Sequence, residues 1–97
     1  MRKQGKATLK CLARKWSTEI LDLLDDAEDN TMRFNQILNK LKTSTPKIIS
    51  TRLSEMTKLK IVKHKLVSTS FPVKSFYELT DFGIHLSKLL SKEYSFL

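Results

Sequence analysis

In the stretch TPKIISTRLSEMTKL, residues 45–59, the apolar residues Ile49, Leu53, Met56 and Leu59 recur at steps of 4, 3 and 3. That spacing lays them along one face of a helix. Thr45 followed by Pro46 predicts where the helix starts. The hydroxyl accepts a bond from an orphan first-turn N–H, and a proline at the first helical position gives up a donor that has no partner there anyway. The other face carries Lys47, Ser50, Thr51 and Ser54. An ordinary solvated face is built from long charged side chains of both signs. Short hydroxyl residues with one cation let the helix backbone approach a polar partner closely, as a helix in a DNA major groove must.

The same reading extends along the chain. Residues 7–14 predict a short helix with Leu9 and Leu12 apolar. A second helix is expected from about Lys15 to Leu24, on the repeat Trp16, Ile20, Leu23, Leu24, with Trp16 as a core anchor. Asp25, Asp26, Glu28 and Asp29 then form an acidic turn. Met32 and Arg33 read as a minimal strand, and Phe34, Ile37, Leu38 and Leu41 as a third helix. Lys42 to Ser44 turn the chain into the Thr45 helix, which makes a helix-turn-helix. After Leu59 the period drops to 2. Val62, His64 and Leu66 are expected on one face of a strand, Lys63 and Lys65 on the other. A polar loop from Ser68 to Lys74 leads into a second strand, Ser75 to Leu79, with Tyr77 and Leu79 sharing a face. Thr80 and Asp81 cap a last helix whose Phe82, Leu86, Leu89 and Leu90 form a wide stripe, continued by Tyr94 and Leu97. The order α-α-(β)-α-α-β-β-α is a winged helix-turn-helix. The fold class is mainly α with a small antiparallel β-wing (α+β), in a single domain over 1–97.

Charge sharpens this picture. The net charge is +8, and it is uneven. Residues 1–15 hold six cations and no acid, residues 16–32 six acids and no cation, and residues 33–74 ten cations against the single acid Glu55. A generally Lys-rich protein would spread its cations. A basic block around one helix is the footprint of a nucleic-acid surface. Arg33 and Asn35 opening the third helix, with Lys63, Lys65 and Lys74 of the wing, are expected to hold phosphates. Lys47, Ser50, Thr51 and Ser54 are the expected base readers, and Thr45 is expected beside a phosphate at the helix N-terminus.

Other chemistry is thinly represented. One cysteine excludes an internal disulfide, a thiol-based zinc site and a C-x-x-C pair. The acidic turn lacks the glycine and terminal glutamate of an EF-hand loop. His64 and His85 lie 21 residues apart without ligand spacing. Two glycines cannot build a phosphate-cradling loop. No metal, cofactor or catalytic residue is expected. No apolar run approaches the roughly 20 residues of a membrane span. The basic N-terminus lacks an apolar segment behind it, so no signal peptide is expected and the cytoplasm, at the nucleoid, is the expected location.

The ordered set of short motifs resembles the HxlR-type transcriptional regulators, small winged-helix proteins related to MarR-type regulators. The carriers are Lys15-Trp16, Arg33-Phe34-Asn35, Pro46-Lys47, Arg52-Leu53 with Glu55-Met56, Ile61-Val62, and Pro72 to Thr80 (PVKSFYELT) with Gly83. The wing segment of that family reads roughly P-x-R-V-x-Y-x-L-T-x-x-G. Here Lys74 stands for its Arg and Ser75 for its Val. The resemblance implies a homodimer in which the terminal helices pack across a twofold axis, through Leu9, Leu12, Leu89, Leu90, Tyr94 and Leu97, with a near-palindromic double-stranded DNA operator as partner. There are departures. Lys3 occupies the position where many relatives carry a sensing cysteine. Ala13-Arg14 replaces a Gly-Gly pair, and Lys60 replaces a Gly between the recognition helix and the wing. Cys11 falls at an apolar helix position, where a buried structural thiol is expected. Two other readings stand beside the DNA-binding regulator: a winged helix used for protein–protein contact, and a nonspecific architectural nucleic-acid binder. The first would put apolar residues on the exposed face of the 45–59 helix.

Overall fold

In the computed structural model, which describes residues 2–69 and 71–94, with side chains to residue 91, the chain forms five helices and a three-stranded sheet. The elements run α1 (Lys3–Ala13), α2 (Ser17–Asp26), a 3-10 turn (Glu28–Asn30), β1 (Thr31–Arg33), α3 (Phe34–Lys40), α4 (Pro46–Lys58), β2 (Val62–Val67), β3 (Lys74–Leu79) and α5 (Asp81–Tyr94). The core gathers Ile20, Leu21, Leu24, Ile37, Ile49, Leu53, Met56, Ile61, Val62 and Leu79, with Cys11 at its edge.

The α4 helix forms as its sequence predicts. Thr45 Oγ1 accepts the Ile48 N–H at 3.2 Å, and Pro46 fills the first helical position. Ile49, Leu53 and Met56 are fully buried, while Leu59 is half-buried. The helix ends in a Schellman turn. The Lys60 N–H bonds to the Thr57 carbonyl at 3.1 Å and the Ile61 N–H to the Met56 carbonyl at 2.9 Å. Such a turn requires a left-handed residue, and Lys60 takes it at φ 64°. The position therefore favours glycine for a stated reason: a side chain there crowds its own backbone.

The sheet has the order β1-β3-β2, all antiparallel. The minimal strand at Met32-Arg33 is thus a third strand beside the two of the wing, pairing Met32 with Tyr77 and Arg33 with Phe76. Register puts Val62, His64 and Leu66 on one face with Leu79, Tyr77 and Ser75, and Lys63 and Lys65 on the other with Glu78 and Phe76. Val62 and Leu79 at the sheet's root are buried in the core, and Met32 and Tyr77 pack half-buried against it; His64 and Leu66 are exposed. The hairpin projects beyond the helices, so alternation there separates two solvent faces rather than core from solvent. The loop expected to be polar carries Phe71, which is 97% exposed.

Three helix expectations shift. The second helix begins at Ser17, not Lys15, because Trp16 sits at φ 79° just outside it. Its buried stripe is accordingly Ser17, Ile20, Leu21 and Leu24, with Trp16 and Leu23 half-buried against the core. The Ser17 hydroxyl donates to the Cys11 carbonyl at 2.7 Å and ties α2 to α1. Half of the expected acidic turn, Asp25 and Asp26, is the last turn of α2. In α5, Phe82 is 37% exposed and does not cover the core. The helix docks instead through buried Gly83 and Ser87, with Ile84, Leu86 and Leu90 half-buried against the core. A Cβ on Gly83 would lie 2.2 Å from the Ile61 carbonyl oxygen, so only glycine permits this approach. Thr80 locks the junction. Its Oγ1 accepts the Gly83 N–H at 3.0 Å and donates to the Lys60 carbonyl.

Candidate nucleic-acid interface

The two faces of α4 differ as the sequence pattern requires. Behind the buried stripe, Lys47, Ser50, Thr51 and Ser54 are all exposed, and so is Thr45 at the cap. The Thr51 hydroxyl donates to the Lys47 carbonyl at 2.8 Å, which leaves its lone pairs pointing outward as acceptors. At the N-terminus Pro46 has no N–H and the Ile48 N–H is used by Thr45. The anion-attracting capacity of this end therefore rests on the Lys47 N–H and the Lys47 ammonium.

Beside this face runs a cleft of about 330 Å³, lined by Arg33, Phe34 and Asn35 at the start of α3, Ser50 of α4, and Val73, Lys74, Ser75 and Tyr77 of the wing. Four residues far apart in sequence and expected to meet DNA, Arg33, Asn35, Ser50 and Lys74, are brought together here. Local structure fixes Arg33. Its N–H donates to Gln36 Oε1 at 2.9 Å, half of a capping box, and leaves the guanidinium to the cleft. Among the described residues no acid lies within ion-pair distance of Arg33, Lys47 or Lys74.

Ser75 and Tyr77 also line the cleft and were not singled out as DNA-facing by the sequence, although period 2 puts them on one face. Tyr77 stacks on His64 with ring centroids 4.5 Å apart and planes 6° from parallel. His64 Nε2 is 2.6 Å from Ser75 Oγ. The three side chains are in contact with one another along the wing.

Lys63 and Lys65, expected to hold phosphates, lie elsewhere. Both stand on the sheet face opposite Ser75 and Tyr77 and pair with Glu78, Lys65 at 2.7 Å and Lys63 at 3.8 Å. The hydrogen bond from Lys65 holds the Glu78 carboxyl below the usual carboxylate range. Lys65 and Glu78 line a wider open groove with Asp26, Glu28, Asp29 and Thr31, the acidic end of the molecule. At that end partial burial, then the neighbouring Asp26, Asp25 and Glu19, push the Asp22 carboxyl up.

On the far side of α4, Glu55 bonds to Arg14 and, at 3.1 Å, to Arg52, while Arg52 Nε donates to the Lys15 carbonyl at 2.9 Å. The lone acid of the basic block thus ties α4 to the α1–α2 junction. Cys11, 4% exposed, lies nearby, and burial pushes its thiol pKa up. A thiol in that state holds little of the thiolate that reacts.

Of the residues expected at a dimer interface, Leu9 is 54% and Leu89 49% exposed. Leu12 and Leu90 are half-buried against the chain's own core. The Tyr94 side chain and Leu97 lie outside the described residues. Among the described residues no three His, Cys, Asp or Glu side chains group to hold a metal ion, and no helix is long and apolar enough to cross a membrane.

Comparison with known proteins accords with this geometry. The family model described as HxlR-like helix-turn-helix matches residues 11–96. An uncharacterized HTH-type transcriptional regulator of Halalkalibacterium halodurans is 36% identical over 74 residues, which cover 76% of this chain and 63% of that protein. This chain therefore spans less than two thirds of that relative's length. Among solved structures, the reduced form of the transcriptional regulator YodB from B. subtilis superposes with a TM-score of 0.81 over 98% of this chain and 89% of that one, at 24% identity, a likeness of fold. A putative MarR-family transcriptional regulator from Enterococcus faecalis V583 gives a TM-score of 0.82 at 26% identity, over 99% of this chain and 86% of that one.

Proposed function

Because the chain belongs to the HxlR-like helix-turn-helix family, we propose that it is a DNA-binding transcriptional regulator that acts as a homodimer on a near-palindromic operator. The observation that carries this reading is the cleft. It joins two cationic side chains, Arg33 and Lys74, which have no acid partner among the described residues, to the polar face of α4 at Ser50. In this reading α4 enters the major groove, with Lys47, Ser50, Thr51 and Ser54 at base edges and Thr45 near a phosphate. Arg33, Asn35 and Lys74 hold the phosphate backbone that passes the cleft. Lys63 and Lys65, turned away and paired with Glu78, contribute less. The polar character of the exposed α4 face speaks against a protein–protein module, which would expose apolar residues there.

Exposed apolar surface on the terminal helices supports dimerisation. Leu9 of α1 and Leu89 of α5 are exposed apolar residues on the two terminal helices. An isologous interface would bury both and set two α4 helices about 34 Å apart, one turn of DNA. The test is a binding titration against random and genome-selected duplexes at two salt concentrations, with sedimentation in parallel. A dimer that prefers selected duplexes is expected. Equal affinity for both duplexes would favour an architectural binder, and a stable monomer that binds a palindrome tightly would refute the dimer.

A further inference from the structure

The wing tip carries apolar surface that the reading above leaves unused. Of the large apolar side chains exposed in the structure, four lie at the end of the β2–β3 hairpin: Leu66 at 64%, Val67 at 37%, Phe71 at 97% and Val73 at 52%. Single exposed apolar residues are common, but several gathered at one hairpin end offer a surface for contact. Phe71 touches almost nothing of its own chain, so its ring is offered whole to a partner.

Resting on the DNA-binding reading, we propose that Phe71 is a minor-groove wedge: its ring enters beside a base step and kinks the operator at the position of the wing. Location supports this occupant. Val73, two residues on, lines the cleft with Arg33, Asn35 and Ser50. The loop therefore leaves the sheet at the rim of the surface that holds the phosphate backbone, and a duplex seated there meets the tip next. Charge supports it as well. From residue 56 to residue 77 the chain has no acid, and among the described residues Lys74, at the foot of the loop, has no acid within ion-pair distance. An apolar tip beside such a cation suits a groove with phosphate walls and base faces within. Pro72 restricts the backbone beside the ring, so little freedom is lost when the ring is held. Apolar side chains set between base steps unstack them and bend the duplex away, usually by about 20–90°. Pyrimidine–purine steps yield most readily, so the wedge would add a preference for such a step at base pairs that α4 never touches.

The test uses the full chain and a selected duplex carrying donor and acceptor dyes at its ends. Wild type should shorten the end-to-end distance and favour a pyrimidine–purine step at the wing position. Phe71→Ala should straighten the duplex, lose the step preference and bind roughly tenfold more weakly, as expected for a lost base stack. Its salt dependence should be unchanged because no charge is removed, and its melting temperature unchanged because the ring packs on nothing. Phe71→Trp should restore the bend. A wild-type complex that is specific but straight, or a Phe71→Ala complex as bent as wild type, overturns the wedge and leaves the DNA reading intact. A change in the sedimentation of the DNA-free protein together with an unchanged bend would assign the tip to a protein contact and also overturn it. Failure of wild type to bind any duplex would instead sink the reading on which the wedge rests.

Discussion

Two surfaces beside the small sheet carry the same kind of residue in opposite circumstances. In the cleft, Arg33 and Lys74 meet Asn35, Ser50 and Ser75, and among the described residues no acid lies within ion-pair distance of either. Elsewhere Lys63 and Lys65 share Glu78, and Lys65 lines a groove together with Asp26, Glu28 and Asp29. In sequence these four cations belong to one basic block. In the fold one pair is open to a polyanion, while the other pair shares one carboxylate and lies near acids that repel a polyanion. A count of lysines therefore overstates the DNA-facing surface, and pairing decides which of them can release counterions from a duplex.

The division of labour between base reading and phosphate holding can be broken first at α4. Replacing Ser50, Thr51 and Ser54 together by Ala should cost roughly 1–3 kcal/mol of discrimination at each base pair these side chains read, the largest effect expected. Selection from a random duplex pool measures it, and the variant should return a relaxed site while its salt dependence stays that of wild type. An unchanged site preference would remove α4 from the reading role.

A smaller effect is expected at the joint between α4 and the wing. Lys60→Gly relieves the left-handed strain at φ 64° and should stabilise the chain by roughly 0.5–1 kcal/mol, after allowance for the greater freedom of glycine in the unfolded chain. Denaturant unfolding measures this, and the site preference should not move. Destabilisation would mean that the Lys60 side chain makes an interaction worth more than the strain.

The smallest effect concerns the Glu78 groove. The carboxyl of Glu78 is depressed in the folded state, chiefly by its bond with Lys65. Its contribution to stability is therefore fully present above the unfolded carboxylate pKa of about 4.3 and is lost as pH falls through the lower folded value. The stability gap between wild type and Glu78→Gln should be open at neutral pH and close on acidification below about 4.3. A gap that widens in acid would reverse the sign of the pairing.

Much of this was legible in the sequence, for reasons that differ by element. Thr45-Pro46 and the Ile49–Leu53–Met56 stripe specify α4 by local chemistry, so start, buried face and exposed face could all be read. Strand alternation put Lys63 and Lys65 on a shared face correctly. That face meets Glu78 only through the β2–β3 register, and a register across a loop is a long-range fact. The docking face of α5 was hidden because Gly83 and Ser87 do not look apolar; they bury by being small, with Gly83 against the Ile61 carbonyl. Trp16 misled for a related reason. Its spacing fits the helix it precedes, but its backbone is left-handed, and periodicity alone carries no sign of φ. The family resemblance supplied Lys60 as a glycine position, and the Schellman turn supplies the physical cause.

The contrast between the cleft and the Glu78 groove is tested most directly by the salt dependence of binding to one selected duplex for wild type, Lys74→Ala and Lys65→Ala. Removing a cation that neutralises one phosphate should lower the slope of log affinity against log salt by about one. We expect Lys74→Ala to lower the slope by about one unit and Lys65→Ala to stay close to wild type, with site preference unaltered in both. Equal reductions, or a larger reduction for Lys65→Ala, would contradict the assignment of the cleft as the phosphate-holding face.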